Sequence, residues 1–115
     1  HFTKFPGGGL EFGEGTVDCL KREFLEEFDV EIEVGDLFYF TDSFQRSAFS
    51  KTEQLIAIYY RFQLKENVGF KDALFEKREN NEEQLLWITL NNFNASLFLF
   101  PIDQKVAVLL RESLL

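Results

Sequence analysis

Disulfides are excluded from the outset, because Cys19 is the only cysteine among 115 residues and stability has to come from packing. Histidine is equally scarce. The one copy, His1, stands at the first position, which argues against His-based catalysis. No apolar run reaches the roughly 18 residues that a membrane span needs, and nothing resembles a secretion signal. The expectation is a cytoplasmic chain with no membrane partner. Positive charge is short as well, with 12 Lys and Arg against 20 Asp and Glu and a formal net charge of −8. A surface this acidic repels a phosphate backbone, so nucleic acid is not the expected partner. Low-complexity and disorder-prone stretches are also missing.

Apolar residues are plentiful, fifteen of them Phe, enough for one core. The length suits one domain over residues 1–115. The run Phe5-Pro6-Gly7-Gly8-Gly9-Leu10-Glu11-Phe12-Gly13-Glu14-Gly15 has too much glycine for regular structure and predicts a loop. Thr16 is expected to cap a helix reaching about Phe28. At 100° per residue, Val17, Leu20, Phe24 and Phe28 form its buried stripe. Alternation over residues 30–34 predicts a half-buried strand, Gly35-Asp36 a turn, and residues 37–41 another strand. A polar loop is expected over residues 42–53 and the clearest strand over 54–64, rich in β-branched and aromatic residues. Residues 65–81 predict a loop with a short strand at 73–77. Residues 84–89 predict a strand, 90–95 a turn or helix start. After Pro101, the spacing of Ile102, Val106, Leu109 and Leu110 predicts a C-terminal helix. The order is mixed α and β.

Glu23, Glu26 and Glu27 fall at i, i+3 and i+4, on one face of a single turn beside the apolar stripe. The bland reading is a solvated acidic face. Like charges so close oppose the helix by a few tenths of a kcal/mol per pair. Ionised carboxylates are hard, acceptor-only ligands suited to Mg²⁺ or Mn²⁺, and a bound cation would turn that repulsion into coordination.

The spacing upstream favours the second reading. Gly8 is followed by five residues and Glu14, then by seven residues and Arg22-Glu23-Phe24-Leu25-Glu26-Glu27-Phe28-Asp29-Val30. This resembles the Nudix box: Gly, five residues, Glu, seven residues, then Arg-Glu-U-x-Glu-Glu-x-Gly-U, with U a bulky apolar residue. Two positions depart from it. Phe24 stands where an aliphatic residue is usual, which affects packing alone. Asp29 replaces the glycine that ends the helix, where a left-handed backbone favours Gly and Asp tolerates it at some cost.

The resemblance implies an α+β fold, a Nudix-like α/β/α sandwich with a mixed sheet, and a Mg²⁺-dependent hydrolase with Mn²⁺ as a possible substitute. The substrate implied is a small molecule of nucleotide type, a nucleoside diphosphate linked to another moiety. Metal ions between carboxylates and substrate would reconcile an acidic chain with an anionic ligand. Glu23, Glu26 and Glu27, with the backbone at Gly8, would hold the metal. Glu26 and Glu27 are also the expected catalytic acids of the box. Glu14 and Arg22 would brace the loop. The general base is expected outside the box, among Glu66, Glu79, Glu82 and Glu83, with Glu82 or Glu83 favoured. A non-catalytic nucleotide-binding module of the same shape is the alternative.

Phe38, Tyr39, Phe40, Phe44, Phe49, Tyr59 and Tyr60 divide between core filling and base stacking. The strand residues are expected in the core, while Phe44 and Phe49, in a loop, are the expected stacking residues. Arg46, Lys51, Arg61 and Arg78 are phosphate-binding candidates, and Arg46 joins Phe44 and Phe49 in the expected substrate-binding set. Cys19 is expected to be a passive thiol. Only residues 1–5 precede the glycine-rich loop, where the resemblance implies one or two strands. Those strands are expected to be missing, and an uncovered sheet edge would favour a homodimer.

Overall fold

The computed structural model describes residues 3–65, 85 and 87–114. In chain order they form helix α1 (Thr16–Phe28), strands β1 (Ile32–Phe40) and β2 (Ile58–Leu64), 3₁₀ turns at Leu90–Asn92 and Ala95–Leu97, and helix α2 (Pro101–Leu114). The two strands pair in an antiparallel ladder. This is an α+β arrangement. No helix among the described residues is long and apolar enough to cross a membrane.

Local sequence explains most of these boundaries. Gly15 occupies the N-cap of α1 in extended backbone, and no side chain caps the helix. Thr16 is therefore the first helical residue and not the cap. Its hydroxyl is shared with the Tyr60 hydroxyl at 2.7 Å instead. Helix α1 ends as the sequence suggests. Asp29 takes the left-handed conformation at φ 53° and ψ 42°, and its N–H and that of Val30 donate to the carbonyls of Leu25 and Phe24.

The expected turn at Gly35-Asp36 does not form; β1 runs straight through it. Gly35 serves the ladder in another way. A Cβ there would lie 3.3 Å from the Arg61 carbonyl oxygen, so a residue lacking one lets the strands approach. Strand β2 starts at Ile58, not at residue 54. Before it, Thr41 continues the pairing through its N–H, which donates to the Ala57 carbonyl at 3.0 Å, and through its side chain. Its hydroxyl donates to the Ala57 carbonyl at 3.2 Å and accepts from the Ala57 N–H at 2.8 Å. The loop expected over 42–53 is present and holds an isolated antiparallel bridge between Arg46 and Gln54. The strand expected over 84–89 is absent from its described members, Leu85 and residues 87–89. The short strand expected at 73–77 lies outside the described residues.

Two compact units share the chain. One draws on Pro6–Asp36 and Tyr60–Trp87 and centres on α1. Its core is Phe24, Phe28, Val30 and Ile32, with Leu20, Val34, Leu64 and Leu85 packed around them. The predicted stripe is buried at Phe24 and Phe28 but only half-buried at Val17 and Leu20. The other unit draws on His1–Phe5, Leu37–Tyr59 and Ile88–Leu115 and centres on α2. There Phe93, Phe98 and Ala107 form a core against Phe5, Ile88, Ala95 and Leu110. The Phe5 and Phe98 rings stack at 4.5 Å, beside a parallel bridge between Thr3 and Phe98.

The aromatic residues of the strands are not the core filling that alternation suggests. Phe38, Tyr39, Tyr59 and Tyr60 are half-buried and Phe40 is exposed. Among the described residues, the deeply buried rings belong to helix α1 and to the segment before α2, namely Phe24, Phe28, Phe93 and Phe98.

Candidate active site

The glycine-rich loop cannot hold itself in place with side chains, and α1 supplies the anchors. Arg22, midway along the helix, is the hub. Its Nε and Nη2 donate to the two carboxylate oxygens of Glu14 at 2.9 and 2.8 Å, a two-pronged pair in which a planar fork meets a planar carboxylate. Nη2 also donates to the Gly9 carbonyl at 3.1 Å. Nη1 donates to Glu23 at 2.9 Å and Glu26 at 3.2 Å, with Glu11 at 3.6 Å. A single guanidinium thus touches both the loop and the acidic turn. Glu14 accepts the Glu11 N–H as well, at 2.9 Å.

Electrostatics follow from this geometry. The Arg22 fork, helped by the Glu11 N–H, holds the Glu14 carboxyl down at about 2. The same pairing pushes Arg22 further above its ordinary range. Cys19 is buried one turn before Glu23, with its thiol directed at the Gly8 and Gly9 carbonyls at 3.8 and 3.5 Å. Burial, then the neighbouring Glu14, pushes this thiol up, so it stays protonated.

The three box acids differ in setting. The Glu23 side chain is 14% exposed, whereas that of Glu26 is 61% exposed. Glu27 is half-buried, with its Oε2 shut off from solvent. Gly8 passes directly over Glu23, and a Cβ on Gly8 would collide with the Glu23 carboxylate. Glycine leaves room for that carboxylate, which would have to shift if a side chain stood there.

Among the described residues, no three acidic, His or Cys side chains already converge as metal ligands do. Arg22 lies among them instead. The residues nonetheless fit a hard divalent cation in kind: three carboxylates on one turn, one nearly enclosed beneath a backbone that has no side chain in the way, and one exposed and able to swing.

The remaining expected residues lie elsewhere. Glu66, Arg78, Glu79, Glu82 and Glu83 fall outside the described residues. Phe44, Arg46 and Phe49 belong to the unit centred on α2, where Phe44 and Phe49 are exposed. Arg46 sits with its guanidinium 5.8 Å from the Phe44 ring centre.

One polar pair escaped sequence reasoning. Asp103, in the first turn of α2, is 6% exposed and accepts a 2.8 Å hydrogen bond from the Tyr59 hydroxyl. Burial pushes its carboxyl up, against the opposing pull of that hydrogen bond. Burial, then the adjoining carboxylate, pushes the Tyr59 phenol up as well. An Asp two residues after a helix-starting Pro reads as an ordinary favourable charge at a helix N-terminus. No spacing signal joins it to a tyrosine 44 positions away.

A family profile described as NUDIX domain matches residues 1–110. Comparisons with curated proteins and with solved structures gave no match. The family goes with pyrophosphohydrolase-type chemistry on small nucleotide-type substrates and with use of a divalent metal. The match takes in the loop, the Arg22 hub and the acidic turn together, and the chain belongs to the Nudix family.

Proposed function

We propose that this protein is a Mg²⁺-dependent hydrolase that cleaves the diphosphate linkage of a nucleoside diphosphate joined to another moiety. The observation that carries the reading is the approach of Gly8 to the Glu23 carboxylate on a turn that also bears Glu26 and Glu27. A solvated acidic face has no need of a loop backbone laid against one of its carboxylates.

Glu23, Glu26 and Glu27 would hold the cation, with the Gly8 backbone beside them. When bound, it supplies Lewis-acid charge neutralisation at the phosphoryl oxygens and activates water. Glu14 and Arg22 keep the loop against the helix. Arg22 also offsets repulsion within the acidic turn, and its contact with the exposed Glu26 is the one that would have to give way for that carboxylate to hold the cation. Water attacks one phosphorus as the bond to the bridging oxygen breaks. A carboxylate beyond the box, Glu82 or Glu83, accepts the proton of the attacking water.

The second reading, a non-catalytic nucleotide-binding module, draws on the hold of Arg22 on both Glu23 and Glu26. Turnover separates the two. Nucleotide sugars, dinucleotides and nucleoside triphosphates are incubated with the protein and Mg²⁺, and phosphate and nucleoside monophosphate release is followed. Hydrolysis is expected, with kcat lowered by about 10²-fold or more in Glu27→Gln while circular dichroism stays unchanged. Tight nucleotide binding without product would install the second reading.

A further inference from the structure

A guanidinium carries five N–H donors, and Arg22 has all five in use. Nε donates to Glu14 Oε2 at 2.9 Å, and Nη2 to Glu14 Oε1 at 2.8 Å and to the Gly9 carbonyl at 3.1 Å. The two hydrogens of Nη1 go to Glu23 at 2.9 Å and Glu26 at 3.2 Å. The Cys19 sulfur, 3.7 Å from Nη2, is a more distant neighbour.

A fourth carboxylate stands just outside this set. Glu11 Oε1 lies 3.6 Å from Nη1, too far for a hydrogen bond and with no guanidinium hydrogen left to accept. Its side chain is 67% exposed, yet its backbone is fixed. The Glu11 N–H donates to the Glu14 carboxylate at 2.9 Å, and the Glu11 carbonyl accepts the Glu14 N–H at 3.3 Å. This turn sets a waiting carboxylate beside the same nitrogen that serves the acidic turn of α1.

The donor count matters once Glu26 turns to a cation. One Nη1 hydrogen then loses its acceptor, and a guanidinium left unpaired near a bound cation is repelled by it. The loop contacts made by Nε and Nη2 would loosen as that side chain moved away. We propose that Glu11 is a positioning residue, which accepts the Nη1 N–H that Glu26 gives up and keeps Arg22 fastened to Glu14 and Gly9. Rotation of one exposed side chain is enough. Arg22 itself is only 21% exposed, so a carboxylate already at its side is better placed than bulk water. The inference rests on the reading of Glu23, Glu26 and Glu27 as cation ligands and adds a role for an acid outside that set.

Mn²⁺ binding to the whole protein, followed by electron paramagnetic resonance, tests it with a control for charge alone. Glu11→Ala removes charge and acceptor together, whereas Glu11→Gln removes the charge and keeps an acceptor oxygen. The expected losses of affinity are about fivefold for Glu11→Ala and about twofold for Glu11→Gln, with circular dichroism unchanged in both. An equal or larger loss in Glu11→Gln would reduce the effect to bulk charge and overturn the proposal. NMR of the Arg22 guanidinium supplies a readout that bulk charge does not move. Its Nη1 hydrogens should stay protected from exchange in wild type at saturating Mg²⁺, and lose that protection in Glu11→Ala only when Mg²⁺ is added. Unchanged protection in that variant also overturns the proposal. If wild type and both variants bind Mn²⁺ equally well, this inference fails and the cation reading stands. No Mn²⁺ binding in wild type removes both.

Discussion

In the unit centred on α1, Glu14 meets a full guanidinium fork and its carboxyl is held down at about 2. In the unit centred on α2, Asp103 is more enclosed, meets a phenol, and its carboxyl is pushed up. One acid is held charged by an opposite charge, and the other is made less acidic by the loss of water. The linkage signs are therefore opposite. Glu14 contributes stability above the ordinary carboxylate range, and this is lost as pH falls through that range toward 2. Asp103 favours the folded state at low pH, and its contribution declines as pH rises from the ordinary range through its raised value. Pairing favours the charged form at Glu14, and burial opposes it at Asp103.

The comparison breaks most severely at Arg22. Replacing it with Met leaves Glu14, Glu23 and Glu26 without their shared cation and the Gly9 carbonyl with only the Cys19 thiol. Loss of a fixed loop position is expected to lower kcat/KM by about 10²-fold, in a Mg²⁺-dependent assay of whichever diphosphate the enzyme turns over. Activity within twofold of wild type would mean the hub is decorative.

In the other unit the expected cost falls on stability. Tyr59→Phe removes a donor from a buried carboxylate and should lower unfolding free energy by about 1–3 kcal/mol in urea at neutral pH. The deficit should shrink on acidification, because a neutral Asp103 needs that donor less. A pH-independent deficit would point to lost packing alone.

The smallest effect sharpens the account of α1. Asp29 is the one described non-glycine residue with positive φ. Asp29→Gly should raise stability by about 1 kcal/mol, seen as a higher Tm, since glycine adopts the left-handed cap without a steric penalty. A lower Tm would show that the Asp side chain contributes more than its backbone costs.

Legibility in the sequence followed the range of the interactions. Helix α1 and its left-handed end were readable because helical periodicity and cap chemistry are local. The acidic turn was readable for the same reason, its three glutamates being neighbours by helical geometry. Gly35-Asp36 misled because a glycine that permits close strand approach looks the same in sequence as one that permits a turn. The aromatic strand residues misled because alternation reports which faces differ, not how deeply either is covered. Asp103 and Tyr59 were invisible as a pair, since only tertiary folding joins them.

The central claim is that Glu23, Glu26 and Glu27 hold a divalent ion, and Mn²⁺ binding followed by electron paramagnetic resonance tests it most directly. The account predicts saturable Mn²⁺ binding to the wild-type protein, weakened about tenfold or more in both Glu23→Gln and Glu27→Gln with the fold unchanged. Mn²⁺ binding of equal strength in wild type and both variants, or none in any of them, would contradict it.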